Sequence, residues 1–192
     1  ALPAGAKISN PQWSPDGKYI AFGNIAAAGV ELWLVDTATA KARRLGKDYV
    51  NTAFGGYGWE GSTHISVTLV PAGRGPAPQY RDLVPTGPNI QETTGRRGAV
   101  ATVQDLLKSP NDEKLYDYYA TSQLALVSLD GKVKNVGQPA IFDQNVFSPD
   151  GKYVLVSRIV RPYSYLFPSS RFPKKVEIWD ANGKLVQSMP DQ

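Results

Sequence analysis

Short apolar runs separated by polar, turn-forming residues recur along this chain. The first group is Lys18-Tyr19-Ile20-Ala21-Phe22, then Val30 to Asp36, then a short run around Arg43–Leu45. Runs of this length, bounded by Gly, Pro and Asp, predict β-strands. The turn that introduces them is Ser14-Pro15-Asp16-Gly17. Proline presets φ at the second turn position, Asp caps the turn, and Gly supplies positive φ. With the residues before the turn, these runs predict one four-stranded antiparallel unit.

The unit repeats. Ser148-Pro149-Asp150-Gly151 is followed by Lys152-Tyr153 and an apolar strand, and Val176-Glu177-Ile178-Trp179 answers Val30-Glu31-Leu32-Trp33. A degenerate copy lies between them. Gly58-Trp59-Glu60-Gly61-Ser62 takes the turn position, His64 to Val70 is the next strand, and Ser122 to Lys132 supplies the third strand with its turn. Units of about 40–45 residues with this order are blades of a β-propeller. The expected fold is therefore all-β, a partial β-propeller of about three four-stranded antiparallel blades. The blades are expected at about 5–46, about 47–137 and about 138–192.

Spacing between repeats is uneven. The second blade carries an insertion at about 71–117 and the third a smaller one at about 161–173. The first insertion opens on the Pro- and Gly-rich run 71–78, which cannot hold regular structure. Val100 to Lys108 and Asn111 to Tyr118 read as two short helical stretches, with Asn111 as N-cap and Asp112 and Glu113 suiting a first turn. The second insertion is dense in aromatics between Arg161 and Pro173. Long loops in compact domains usually carry function or docking.

Composition agrees with a turn-rich β fold: 18 Gly, 15 Pro, 10 Tyr and 4 Trp, at 42% hydrophobic residues. There is no Cys, which excludes disulfides and cysteine nucleophiles, and a single His, which excludes a multi-histidine metal site. A net charge of +4 comes without basic runs; Arg96-Arg97 and Lys174-Lys175 are only pairs, so no nucleic-acid partner is expected. No stretch approaches the length of a membrane span, and no signal peptide is visible at Ala1-Leu2-Pro3-Ala4.

Candidate chemical motifs read as structure. The Gly-x-Ser-x-Gly elbow is absent, and Ser62 and His64 share one turn and strand. Gly56 to Gly61 matches a phosphate-loop spacing, but a strand follows where the mechanism needs a helix. Asp180-Ala181-Asn182-Gly183 lacks the further ligands of a calcium loop and reads as a hairpin turn. No metal and no cofactor is expected, and no catalytic residue is assigned to this chain.

The Ser-Pro-Asp-Gly-Lys-Tyr blades resemble the WD40-like propeller repeats of TolB and of the prolyl oligopeptidase family. The segments 83–92 and 115–124, Arg161-Pro162-Tyr163-Ser164-Tyr165 and Ser170-Arg171-Phe172-Pro173 resemble its glutamyl endopeptidase branch. The resemblance implies a propeller that filters peptide substrates and docks on a C-terminal α/β-hydrolase domain holding Ser, Asp and His. That domain is not in this sequence, so the chain looks like part of a peptidase, not a complete one. The other reading is a stand-alone TolB-like module for protein–protein binding. Under the peptidase reading, Arg161 and Arg171, with Tyr163 and Tyr165, are the candidate substrate-binding residues. A guanidinium fork binds a carboxylate bidentately, as cleavage after Glu requires; the competing reading pairs these arginines with acidic residues of another blade. Three blades cannot close a ring, which predicts edge-strand self-association or dependence on further blades. Family analogy alone suggests a bacterial periplasmic or secreted location, with a cytoplasmic one not excluded.

Overall fold

The computed structural model describes residues 2–3, 5–79 and 106–190. The 83–92 segment, Arg96-Arg97 and most of the first expected helix lie outside these residues. Residues 106–108, its end, are not helical.

The described strands form three four-stranded antiparallel blades. Blade 1 is β1 (Ile8–Trp13), β2 (Tyr19–Ala26), β3 (Gly29–Asp36) and β4 (Lys41–Val50). Blade 2 is β5 (Tyr57–Glu60), β6 (His64–Leu69), β7 (Gln123–Ser128) and β8 (Val133–Asn135). Blade 3 is β9 (Ile141–Phe147), β10 (Tyr153–Ile159), β11 (Lys174–Asp180) and β12 (Leu185–Ser188). The chain is a partial β-propeller. Strand β4 runs well past the expected Arg43–Leu45, and its Val50 pairs with Leu69, joining the first two blades edge to edge.

The repeated turn works through its serine as much as its proline. The Ser14 hydroxyl donates to Asp16 at 2.7 Å and accepts from the Tyr19 N–H at 2.9 Å, while Lys18 N–H donates to the same carboxylate at 3.2 Å. Gly17 sits at φ +72°, where a Cβ would be strained. Ser148 and Asp150 repeat the network at 2.7, 3.0 and 3.1 Å. Ser128-Leu129-Asp130-Gly131 forms the same turn without proline: Ser128 donates to Asp130, and Gly131 N–H reaches the Ser128 carbonyl at 2.8 Å. Serine, aspartate and glycine are therefore the defining residues, and proline is an accessory that limits the unfolded chain.

Strand alternation places blade 2 between two cores. Ala125 and Val127 point into a core with Ala21, Leu32, Leu34, Leu45, Ile65 and Val67 of blades 1 and 2. Leu124 points the other way, with Val136, into Phe142, Phe147, Val154, Val156 and Trp179 of blade 3. Each fully buried Leu, Val or Phe here contributes roughly 1.5–3 kcal/mol relative to exposure. Tyr57 and Trp59 bolt blade 2 to blade 1: the Tyr57 hydroxyl donates to Ser9 O at 3.0 Å and the Trp59 indole to Gln12 O at 3.1 Å.

Among the described residues of the first insertion, one α-helix forms, α1 (Pro110–Ala120). Its N-cap is Ser109, not the expected Asn111. Pro110 fits the first helical position, where no N–H is needed, and the Ser109 hydroxyl accepts from Asp112 N–H at 3.2 Å. At the other end, the buried Asn51 amide donates to the carbonyls of Tyr119 and Thr121, both at 2.9 Å.

Candidate functional site: the platform made by the two insertions

Both insertions connect the second strand of a blade to its third, β6 to β7 and β10 to β11. They leave their blades at the end opposite the Ser-Pro-Asp-Gly turns, and they meet there. Ala120 of α1 packs with Ile141, Ile159 and Phe172 in a third core, against which Leu107, Tyr116 and Tyr163 are half-buried. Tyr116 meets Tyr163 edge-on at 5.0 Å and Phe172 at 5.6 Å, while Tyr163 and Phe172 stack at 5.1 Å. Burial pushes the Tyr116 hydroxyl up to about 12 and the Tyr163 hydroxyl higher still. Neither phenol ionises near neutral pH.

A polar lock closes the contact. Arg161 spans Glu113 and Asp117, one turn apart on α1, reaching Asp117 at 2.6 Å. The Tyr163 hydroxyl donates to Asp117, and the Tyr165 hydroxyl to Glu113 at 2.9 Å. Arg161 also lies 4.6 Å over the Tyr163 ring. The Arg161 and Tyr165 hydrogen bonds hold Glu113 below the ordinary carboxylate range. In the first insertion's other arm, Arg74 sits 4.1 Å over Tyr118, whose hydroxyl donates to Gly75 O at 2.8 Å.

The structure brings three of the four candidates together. Arg161, Tyr163 and Tyr165 converge on Glu113 and Asp117, so Arg161 has carboxylate partners from the other insertion. Arg171 stands apart, in an exposed 3-10 turn (Ser169–Arg171), with its guanidinium 5.6 Å over Phe167 and no ion pair among the described residues. The sequence reading placed Glu113 in a helix first turn and passed over Asp117. Their i, i+4 spacing on a capped helix was the available signal.

The motifs read as structural are placed accordingly. His64 is exposed at the start of β6 and shares a hydrogen bond with Thr63. Residues Tyr57–Glu60 form a strand, with no helix after them. The Asp180 carboxylate accepts from Asn182 and Lys184 N–H at 2.8 and 3.0 Å, closing a hairpin turn. At the turn end of the blades, a cleft of about 520 Å³ lies between blades 2 and 3, lined by Glu60, His64, Leu126, Lys132, Phe147 and Asp150 among others.

Two curated proteins match along this whole length, insertions included. The probable chloroplastic glutamyl endopeptidase of Oryza sativa subsp. japonica is 41% identical over 199 residues, covering 98% of this chain. Its namesake from Arabidopsis thaliana is 41% identical over 99% of the chain. This chain is similar to these glutamyl endopeptidases over nearly its whole length. It spans 21% of the length of each, about a fifth. No family model matches it. Among solved structures, the Pyrococcus horikoshii acylaminoacyl peptidase superposes with a TM-score of 0.57 at 15% identity, over 96% of this chain and 25% of that one. That likeness supports the fold. By fold the chain is a partial β-propeller of the kind found in that peptidase, and its similarity to the glutamyl endopeptidases includes the platform.

Proposed function

We propose that this chain is the substrate-gating and docking part of a serine peptidase of the glutamyl endopeptidase kind, with catalysis supplied by an α/β-hydrolase domain of the same parent protein. The observation that carries the reading is the platform itself. Two insertions from neighbouring blades emerge at one end and are bound into one body by a shared aromatic core and the Arg161 lock. A rigid platform at one end of a propeller suits a second domain seated there and a peptide passing beneath it.

Within this reading the four candidates divide the work. Arg161, Tyr163 and Tyr165 order the platform, and Arg171 offers the exposed guanidinium for a substrate carboxylate. A charge-assisted hydrogen bond contributes about 1.5–3 kcal/mol, or roughly ten- to a hundredfold in selectivity. The test is cleavage after Glu against cleavage after Gln by the full-length parent enzyme. Arg171→Ala should reduce the ratio of kcat/KM values at least tenfold. Arg161→Ala should lower both rates together. A ratio unchanged in both variants removes the platform from specificity.

A further inference from the structure

The second insertion and its flank hold their cations in different chemical settings. Arg161 spends its donors on Glu113 and Asp117, and Lys174, just past the insertion, pairs with Asp143 at 2.9 Å. Arg171 meets no carboxylate among the described residues; its guanidinium carbon lies 5.6 Å from the centre of the Phe167 ring. An ion pair consumes the in-plane N–H groups of a guanidinium. An aromatic ring attracts the cation through its face and leaves that fork of donors available. Arg171 is therefore held in place without its donors being spent.

The loop fixes both partners of this contact. On one side, the Ser164 hydroxyl accepts from the Leu166 and Phe167 N–H groups at 3.0 and 3.2 Å, closing a tight turn that sets where the Phe167 side chain begins. On the other, Arg171 N–H donates to the Pro168 carbonyl at 2.9 Å and Phe172 N–H to the Ser169 carbonyl at 3.1 Å, forming the 3-10 turn. Phe172, the residue after Arg171, is 4% exposed and stacks on Tyr163 in the third core. The arginine is thus carried next to an anchored residue. An exposed arginine on a loose loop samples many rotamers, and ordering it costs entropy when a ligand binds. Backbone turns on both sides and a ring against the guanidinium remove part of that cost in advance.

We propose that Phe167 is a positioning residue for the substrate carboxylate: its ring holds the Arg171 guanidinium with the N–H fork open, and Arg171 takes the glutamate side chain bidentately. The proposal rests on the peptidase reading above and adds to its carboxylate site a residue that acts through Arg171 alone. Ser164 acts one step further back, through the backbone of Phe167. What Phe167 supplies is a π face and not bulk, so an aromatic replacement keeps the role and an aliphatic one loses it.

The measurement is the ratio of kcat/KM values for matched peptides cleaved after Glu and after Gln by the full-length parent enzyme. Phe167→Leu should lower this ratio about two- to fivefold, through the Glu peptide alone, while Phe167→Tyr should keep it. In an Arg171→Ala background, Phe167→Leu should change nothing further. Ser164→Ala removes the acceptor of both turn N–H groups; it should lower the ratio in the same sense, and it serves where Phe167→Leu fails to fold. A ratio that falls with Arg171→Ala and stays put with Phe167→Leu overturns the proposal and leaves the peptidase reading standing. A ratio unmoved by Arg171→Ala removes the carboxylate site itself, and the proposal with it. Equal losses on both peptides, a loss in Phe167→Tyr, or an effect of Phe167→Leu that persists without Arg171 each gives the ring another task and overturns the proposal as well.

Discussion

Glu177 is the residue whose loss should be felt most sharply at the junction of blades 2 and 3. Its carboxylate accepts from Arg158 Nε at 3.1 Å and Nη2 at 2.6 Å and from the Trp179 indole at 2.8 Å. Glu177→Ala leaves the Trp179 N–H and a guanidinium without their acceptor, under a face covered by blade 2. Breaking a buried pair costs about 3–5 kcal/mol, and the Arg158 side chain, 26% exposed, recovers some hydration, so about 3 kcal/mol is expected. The control is built into the repeat. Glu31 makes the corresponding contacts in blade 1, on a face that no described blade covers; Glu31 is 15% exposed against 9% for Glu177 and Trp33 is half-buried, so water can replace part of the lost acceptor. Glu31→Ala should cost about half as much, about 1.5 kcal/mol. In a chain of this size, about 2–4 °C of Tm accompanies each kcal/mol, which predicts falls of about 6–12 °C and about 3–6 °C. Calorimetry measures both. Equal losses, or a larger one for Glu31→Ala, would refute the reading that cover by blade 2 makes the Glu177 network the costlier one to break. Glu177→Gln, which keeps an acceptor for Trp179, should fall between the two.

Acid should destabilise the fold over a defined window. Asp16, Asp150, Glu31 and Glu113 are held low chiefly by hydrogen bonds from Ser14, Ser148, Asn24 and Arg161, respectively. Burial pushes Glu177 up, but its bonds from Arg158 and Trp179 outweigh this and leave it lowered. A depressed folded-state pKa contributes stability that is present above the unfolded values, about 4, and lost as pH falls through the folded ones. Urea midpoints should therefore hold from pH 7 to about 5 and drop below about 4; a midpoint that rises on acidification contradicts the hydrogen-bonding pattern. Gly183→Ala should be far more damaging than Gly151→Ala, though both glycines have positive φ. A Cβ at Gly183 would lie 1.8 Å from the Gly137 backbone nitrogen, while one at Gly151 meets nothing within 4 Å. Soluble yield and Tm of the two variants decide the point.

What could be read from the sequence follows the range of the interaction. The blade turns were legible because Ser, Asp and Gly act within five residues of one another and repeat. The strands were legible because apolar runs and turns alternate at blade spacing. The N-cap of α1 was misread by two residues: Asn111 is a good capping residue, but Pro110 before it occupies the first helical position more favourably. The Val-Glu-x-Trp repeat was visible as a pattern without its meaning. Residues two apart on a strand share a face, so the Glu can accept from the Trp indole and present a neutralised surface to the next blade. The platform lay beyond local reasoning. Arg161 finds Glu113 and Asp117 across 48 and 44 residues, after both insertions have turned toward each other over the third core. Arginines and tyrosines crowded into one loop announced a polar site. Whether that site faces a substrate or another loop depends on which loops share an end of the sheet. In this chain the second-to-third-strand position of both insertions decides it: they must emerge together, and their opposite charges then bind them into one platform.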